Sequence, residues 1–388
     1  MSMYRRDLLK SMGALGLLGT AAPVVRAQER LVQAIRGMAT PRIKDISVIE
    51  CAPAGARLSV VKITTDQDGL YGYGCATFTQ RADLVKPAVE RYLKPYLLGK
   101  TTDRIEDIWQ SCYDSSYWKN GPVLNNALSG IDQALWDIKG RQAGMPVYQL
   151  AGGKCREAVD CYAHADGPDF EDVVASAKKL MADGFRNVRV QVGLPGMAGY
   201  GSAHGNTAPL KALHEKPLFE PAYQMRRALK LLEICRTELG EEVELLHDMH
   251  ERLTPNQAVQ FCKEAERFRM FFLEDTLSPE DNDYFRQIRA QCATPIAMGE
   301  LFNNPHEWQP LIEQRLIQEY TPFNAETQEI FKGCPEMKDG YFWVNERPGW
   351  GIEIDEKLAA QFPFKDSANH LNGGWGEIRK RDGTVIKQ

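Results

Sequence analysis

Asp248, Glu274 and Glu300 stand 26 residues apart and then 26 again. Each follows a short apolar run, in Leu-Leu-His-Asp, Phe-Leu-Glu-Asp and Ala-Met-Gly-Glu. The interval fits one strand–helix unit, so each acid closes a predicted strand at its C-terminal end. In a closed parallel barrel, side chains at adjacent strand tops converge over the mouth. Carboxylates brought together repel, and their pKa values rise unless a cation is shared. All-oxygen ligands favour Mg²⁺ or Mn²⁺ over zinc. One acid at a strand end is an ordinary solvated loop start. Three at equal spacing point to a metal site.

Further groups surround this triad. His250 lies two residues after Asp248, on the same side of an extended segment. There it can do acid–base work on a metal-bound substrate without being a ligand. Alone it would read as a capping or surface histidine. Arg189 and Gln191 share one face at the end of an earlier strand. Arg189 can bind a carboxylate or depress the pKa of a neighbouring tyrosine. Tyr200, in a loop containing Gly193, Gly196, Gly199, Gly201 and Gly205, is a candidate partner or a loop-packing residue. His164, at the end of the first strand of the region, can hydrogen-bond a polyol or serve the structure.

The elements that must position these groups come in two grammars. From Ile43 to Phe78 the runs Ile46–Cys51, Leu58–Thr64 and Tyr71–Thr77 are β-rich. The Asp66-Gln67-Asp68-Gly69 turn joins the last two, which makes a three-stranded meander. Helical periodicity then holds from Ala82 to Leu150, with Leu124, Ala127, Leu128, Ile131, Leu135 and Ile138 on one face. Strands followed by helices make an α+β domain.

After Gly152 strands and helices alternate. Strands are predicted at Val159–Ala165, Phe185–Val192, Val243–His247, Met270–Glu274 and Pro295–Gly299. Helices are predicted at Phe170–Asp183, Pro221–Leu239, Pro255–Phe268, Pro279–Cys292 and Pro305–Gln314. Such units in one direction imply a parallel sheet with right-handed crossovers, either a barrel or a doubly wound sheet. No Gly-x-Gly-x-x-Gly opens a helix after a strand, which weakens the dinucleotide reading.

The chain has 388 residues, 43% hydrophobic and 26% charged, the profile of a two-domain globular protein. A net charge of −5 with no basic block argues against nucleic acid as partner. Nine cysteines, an odd number without Cys-x-x-Cys, read as buried thiols rather than a disulfide framework or zinc site. Residues 1–27 carry Arg5-Arg6-Asp7-Leu8-Leu9-Lys10, an uncharged run and Val25-Arg26-Ala27. This reads as a twin-arginine signal peptide, too short for a membrane span. A periplasmic protein free of the membrane after signal removal is expected. The bland alternative is an ordinary basic N-terminus on a cytoplasmic protein.

Taken together, Gly74–Arg81, Tyr162-Ala163-His164, Arg189-Val190-Gln191, His247-Asp248-Met249-His250, Leu273-Glu274-Asp275, Gly299-Glu300 and Ile317-Gln318-Glu319-Tyr320 resemble the mannonate/galactonate dehydratase group of the enolase superfamily. The resemblance implies an α/β fold: an α+β capping domain over 28–158, a modified TIM-type β/α barrel over 159–321, and a C-terminal segment, 322–388, packing on the capping domain. It implies Mg²⁺ at Asp248, Glu274 and Glu300, His250 and an Arg189–Tyr200 pair as acid–base groups, and His164, Glu319 and Glu300 near the substrate. That substrate is a small sugar acid. Its α proton is lost to a base while Mg²⁺ stabilises the enediolate, and loss of the β-hydroxyl gives a 2-keto-3-deoxy acid. A homo-oligomer is expected. Arg189 and Gln191 stand where racemases and lactonising enzymes of the superfamily carry a lysine.

Two departures accompany the resemblance. Thr79 and Gln80 replace the group's usual asparagine in the first-domain loop, so Gln80 becomes the substrate-binding candidate there. Arg315-Leu316-Ile317 looks like the start of the sixth strand, whereas Gln318-Glu319-Tyr320 looks like the end of the eighth. A gap near 317–318, of about sixty residues at about thirty per β/α unit, would leave a barrel short of about two units. Impaired turnover, a non-catalytic binding relative or a defective product follow as alternatives to a working dehydratase.

Overall fold

The computed structural model describes residues 40–193, 219–313, 325–364, 379–380 and 384–385. The expected signal peptide, Tyr200, the expected sixth strand at Arg315 and the expected eighth-strand motif with Glu319 lie outside the described residues.

The capping domain opens with β1 (Ile43–Cys51), β2 (Leu58–Thr65) and β3 (Tyr71–Cys75), an antiparallel meander in that order. The two longest helices that follow in the cap are α1 (Ile105–Tyr113) and α2 (Pro122–Ala143). Pro122 starts α2, and Gly144, with φ +64°, ends it. Its buried stripe is Ala127, Leu128, Ile131, Ala134, Leu135 and Ile138, against Val61 and Ile63 of the sheet. Leu124, expected on that face, is 50% exposed, so the stripe begins one turn later. The helix lies directly on β3 because β3 reads Tyr-Gly-Tyr-Gly. A Cβ at Gly74 would sit 2.0 Å from the Gly130 carbonyl oxygen, and one at Gly72 would sit 2.2 Å from that of Ala134.

Asp132 of α2 has its carboxyl pushed up to about 6 by burial and by Glu106 of α1. A raised carboxyl pKa favours the native state below the unfolded value and loses that advantage as pH rises through about 6. Asp132→Asn should therefore raise stability at pH 7.5 by about 1–2 kcal/mol, a figure reduced for partial solvent screening, and change little near pH 3.5. Calorimetric melting at both pH values checks this. Equal effects at the two would show that Asp132 is not burdened.

The second domain is a parallel sheet with flanking helices. Its first expected strand divides in two. Val159–Asp160 (β4) pairs with a C-terminal strand, and the barrel strand β5 (Tyr162–Gly167) begins only after Cys161. Then come α3 (Phe170–Ala182), β6 (Asn187–Val192), α4 (Pro221–Leu239), β7 (Glu244–Asp248), α5 (Pro255–Ala265), β8 (Phe272–Glu274), α6 (Phe285–Gln291), β9 (Ile296–Ala297) and α7 (Pro305–Glu313). The strands are parallel in the order β5-β6-β7-β8-β9. Asp169 caps α3, accepting from the Asp172 N–H at 3.0 Å, and Thr254 with Gln257 forms a capping box on α5. Period two separates the faces. Val188, Val190 and Leu245 meet helix residues such as Leu231, Leu232 and Phe261, while Tyr162, Leu246, Phe272 and Ala297 fill an inner layer. This is the chemistry of a barrel wall, helices outside and a packed interior. Among the described residues five of its strands are present.

The C-terminal segment runs through α8 (Ala325–Ile330), β10 (Phe331–Lys332), β11 (Glu336–Lys338), β12 (Tyr341–Trp343) and β13 (Glu353–Ile354). β12 holds β4 and β11, and β13 pairs with β10. Ile330 and Ala359 pack on Cys51 of β1. Buried Asp137 of α2 accepts from the backbone N–H of Tyr73 at 2.9 Å and of Trp350 at 2.7 Å, and from Arg141 Nε at 2.9 Å. Gly349, at φ +74°, passes so close that a Cβ there would lie 1.9 Å from Asp137 Oδ1. All nine cysteines are free thiols; six are buried, whereas Cys75 and Cys155 are exposed. No helix among the described residues is long and apolar enough to cross a membrane.

Candidate active site

Asp248 and Glu274 are the last residues of β7 and β8, face each other in register, and are both fully buried. Burial alone would raise the Asp248 carboxyl. The charges of His250 and Arg189, and hydrogen bonds from His250, instead hold it well below the usual carboxylate range. Arg189 Nη1 lies 2.9 Å and His250 Nε2 3.0 Å from Asp248 Oδ2, while the His250 N–H donates to Oδ1 at 2.7 Å. Gln191 Nε2 donates to the Asp248 carbonyl at 3.2 Å. Period two on β6 puts Arg189 and Gln191 together on the inner face, as the sequence implies.

His250 reaches Asp248 by a different route from the expected extended segment. It has φ +50° and Glu251 has φ +59°, so the chain turns sharply through left-handed backbone. Asp275, just after Glu274, has φ +42°. The two turns are tied together: Met249 N–H donates to the Glu274 carbonyl at 3.1 Å and Glu251 N–H to the Asp275 carbonyl at 2.7 Å. Non-glycine residues in this region carry strain, and such strain concentrates at functional sites. An extended chain would swing His250 along the strand axis; the left-handed turn folds its ring back onto the carboxylate.

His164, half-buried on β5, stands in register with Arg189. Burial and Arg189 push its imidazole down to about 3, against the pull of Asp248. Its Nε2 is buried and finds no hydrogen-bond partner among the described residues. Burial also lowers His250, against the pull of Asp248. The His164 ring is therefore neutral near pH 7. His247, inside the same motif, belongs to the packing. Its Nδ1 donates to the Val190 carbonyl at 2.7 Å and its ring lies 5.9 Å from that of Phe261. Burial lowers it to about 4.

Glu300 departs from expectation. β9 ends at Ala297, not at Gly299, and Glu300 is exposed in the turn that Phe302 N–H closes on the Gly299 carbonyl. Equal spacing in sequence does not give equal ladder lengths: two acids end their ladders, the third lies past its own. Among the described residues no three His, Cys, Asp or Glu side chains lie close enough to hold a metal. The donor chemistry still fits Mg²⁺ at Asp248 and Glu274, two buried carboxylates side by side with only oxygen to offer. Asp248 Oδ2 already accepts from Arg189 Nη1 and lies 3.0 Å from His250 Nε2, as a site built for positive charge does. Gln80 stays with the cap, where its carbonyl accepts from Arg81 Nη1 at 2.8 Å.

Sequence periodicity alone does not single out Tyr162, though period two from His164 along β5 leads to it. Its hydroxyl donates to Glu274 Oε1 and Oε2 at 3.1 and 3.3 Å. Cavities of about 520 and 270 Å³ open in the cap and between cap and C-terminal segment, and neither is lined by Asp248, Glu274 or His250. Perturbed buried groups mark the site better than concavity does.

Family models match twice: the mandelate racemase/muconate lactonizing enzyme N-terminal domain at residues 37–152 and the enolase C-terminal domain-like model at 172–318. The D-galactonate dehydratase family member RspA of Pantoea ananatis is 42% identical, with 88% of this chain and 98% of that protein covered. A family member from Musicola paradisiaca is 40% identical, with 90% and 100% covered. A solved enolase from Pantoea ananatis with bound D-gluconate and Mg superposes with a TM-score of 0.82 at 41% identity, covering 90% of this chain and 100% of that one. The RspA match spans 413 positions while using 88% of 388 residues, which is about 341, so about 72 positions have no residue from this chain.

Proposed function

The chain belongs to the D-galactonate dehydratase family of the enolase superfamily, and on that premise we propose that it is a Mg²⁺-dependent dehydratase of a gluconate-, mannonate- or galactonate-like sugar acid. The observation that carries this reading is the in-register Asp248–Glu274 pair with Arg189 and His250 on the first of them. Asp248 and Glu274 would hold the ion, with Glu300 as the third ligand. When bound, Mg²⁺ supplies positive charge against the negative charge that grows on a substrate carboxylate as its α proton leaves.

The residues of this chain do the rest. Arg189, 3% exposed, keeps a permanent positive charge at the mouth, suited to an anionic substrate. His164 Nε2 offers a lone pair to a substrate hydroxyl. His250 and Tyr200, the latter paired with Arg189 as the family resemblance implies, are the two acid–base groups. One takes the α proton, and the other protonates the β-hydroxyl that departs as water. The product is the substrate less one water, a 2-keto-3-deoxy acid after tautomerisation. The buried, strained turn at 248–251 keeps the imidazole where a proton can pass.

Turnover is expected to be low. About 72 positions of the relative lack a counterpart, and the enolase-like match stops at 318. The exposure of Glu300 favours a second reading, a relative that binds sugar acid without converting it. One experiment separates them. Purified full-length protein with Mg²⁺ is given D-gluconate, D-mannonate and D-galactonate, and 2-keto-3-deoxy product is measured beside melting curves. Product that vanishes with EDTA supports the dehydratase. Ligand-dependent stabilisation without product supports the binding relative, and neither response would sink both.

A further inference from the structure

The Tyr162 hydroxyl is a trans-interior contact. β5 carries Tyr162, β8 carries Glu274, and β6 and β7 lie between them in the sheet. Tyr162 is 4% exposed and belongs to the inner layer with Leu246, Phe272 and Ala297, below the mouth. Its ring is fixed on two sides. It stacks on His164, centroids 5.6 Å apart at 26°, and meets Phe272 edge-on, 5.7 Å apart at 83°. A side chain packed this way points its one polar atom in one direction, and that direction is both oxygens of Glu274. A tyrosine placed only to fill the interior would leave its O–H to any nearby carbonyl; this one is aimed at a carboxylate.

We propose that Tyr162 is a positioning residue, whose hydroxyl, held at the floor of the site, sets the Glu274 carboxylate in the orientation that a divalent cation shared with Asp248 requires. The inference rests on the metal-dependent reading above. A donor behind a ligating carboxylate restricts its rotation, so less order is lost when the ion binds, and it leaves the outward lone pairs for the metal. The same ring links the ligand to His164, so metal site and hydroxyl-binding group are held by one side chain.

Tyr162→Phe removes the hydroxyl and keeps the ring. Full-length protein is titrated with Mg²⁺ alone, followed by melting temperature, and with Mn²⁺ followed by electron paramagnetic resonance. The half-saturating metal concentration should rise about 10–100-fold, with cooperative unfolding retained in EDTA. Leu232→Ala loosens the helix layer outside the sheet, away from the Tyr162 ring; it should lower the melting temperature and leave the metal titration where it was. Unchanged metal affinity in Tyr162→Phe overturns the proposal, as does an equal loss in Leu232→Ala. Glu274→Gln, run in parallel, should lose the metal response. A parent chain that responds to neither metal overturns the metal-dependent reading itself, and the role of Tyr162 with it.

Discussion

On the proposed reading, Asp248→Asn is expected to abolish Mg²⁺-dependent stabilisation and to lower product formation by about 10³-fold or more, because one carboxylate meets three neighbouring groups. Its oxygens accept from Arg189 Nη1 at 2.9 Å and from the His250 backbone N–H at 2.7 Å, and Oδ2 lies 3.0 Å from His250 Nε2. The amide keeps the shape but has no charge, and its NH₂ would face donors wherever it replaces an oxygen. The buried Arg189–Asp248 ion pair is then broken, a loss of about 3–5 kcal/mol in native stability. Two readouts separate these effects. Melting in EDTA reports the ion pair, and the Mg²⁺ increment reports the metal site. A variant that keeps a Mg²⁺ response equal to that of the parent would remove Asp248 from the metal site.

The second large effect lies far from the chemistry. Asp137→Ala is expected to destabilise the chain by about 3–5 kcal/mol, since it breaks a buried pair and strands two backbone donors. Those donors come from different parts of the chain, Tyr73 of the cap sheet and Trp350 of the C-terminal segment. The loss should appear first as release of the C-terminal segment, seen as faster amide exchange at Trp350 and Gly351 and earlier proteolysis after β12. Arg141 would remain tied through Glu353, which it also meets, so the cap helix itself should stay folded. Protection at Trp350 equal to that of the parent would show that the segment is held elsewhere. The close approach of Gly349 explains why no larger residue fits there: at 1.9 Å from the carboxylate a Cβ excludes the loop path altogether.

Much of this was legible along the chain because side-chain period reports which face is buried. The meander β1–β3, the α2 stripe from Ala127 to Ile138, and α4 at its full span Pro221–Leu239 all follow from local pattern and punctuation. The pairing of Asp248 with Glu274 follows too, since both close strands of equal register. Strand ends were less legible. Val159–Ala165 is one continuous β-rich run, yet Asp160 hydrogen-bonds to one sheet and Tyr162 to another, and pattern cannot say which partner a strand will find.

What the sequence by itself determined is the inventory and its order: which acids close strands, that Arg189 and Gln191 share a face, and that His250 follows Asp248 by two. Only the tertiary structure decided the distances. Three acids at equal intervals became two buried in register and one exposed, because β9 stops at Ala297 while β7 and β8 run to their acids. His250 came onto Asp248 through positive φ, which no alternation predicts. Tyr162 came to Glu274 from three strands away, since curvature of the sheet brings inner faces together that are remote in the chain. Spacing is a one-dimensional quantity and ladder length, turn hand and sheet curvature are not, so the site's composition was written in the sequence and its closeness was made by the fold.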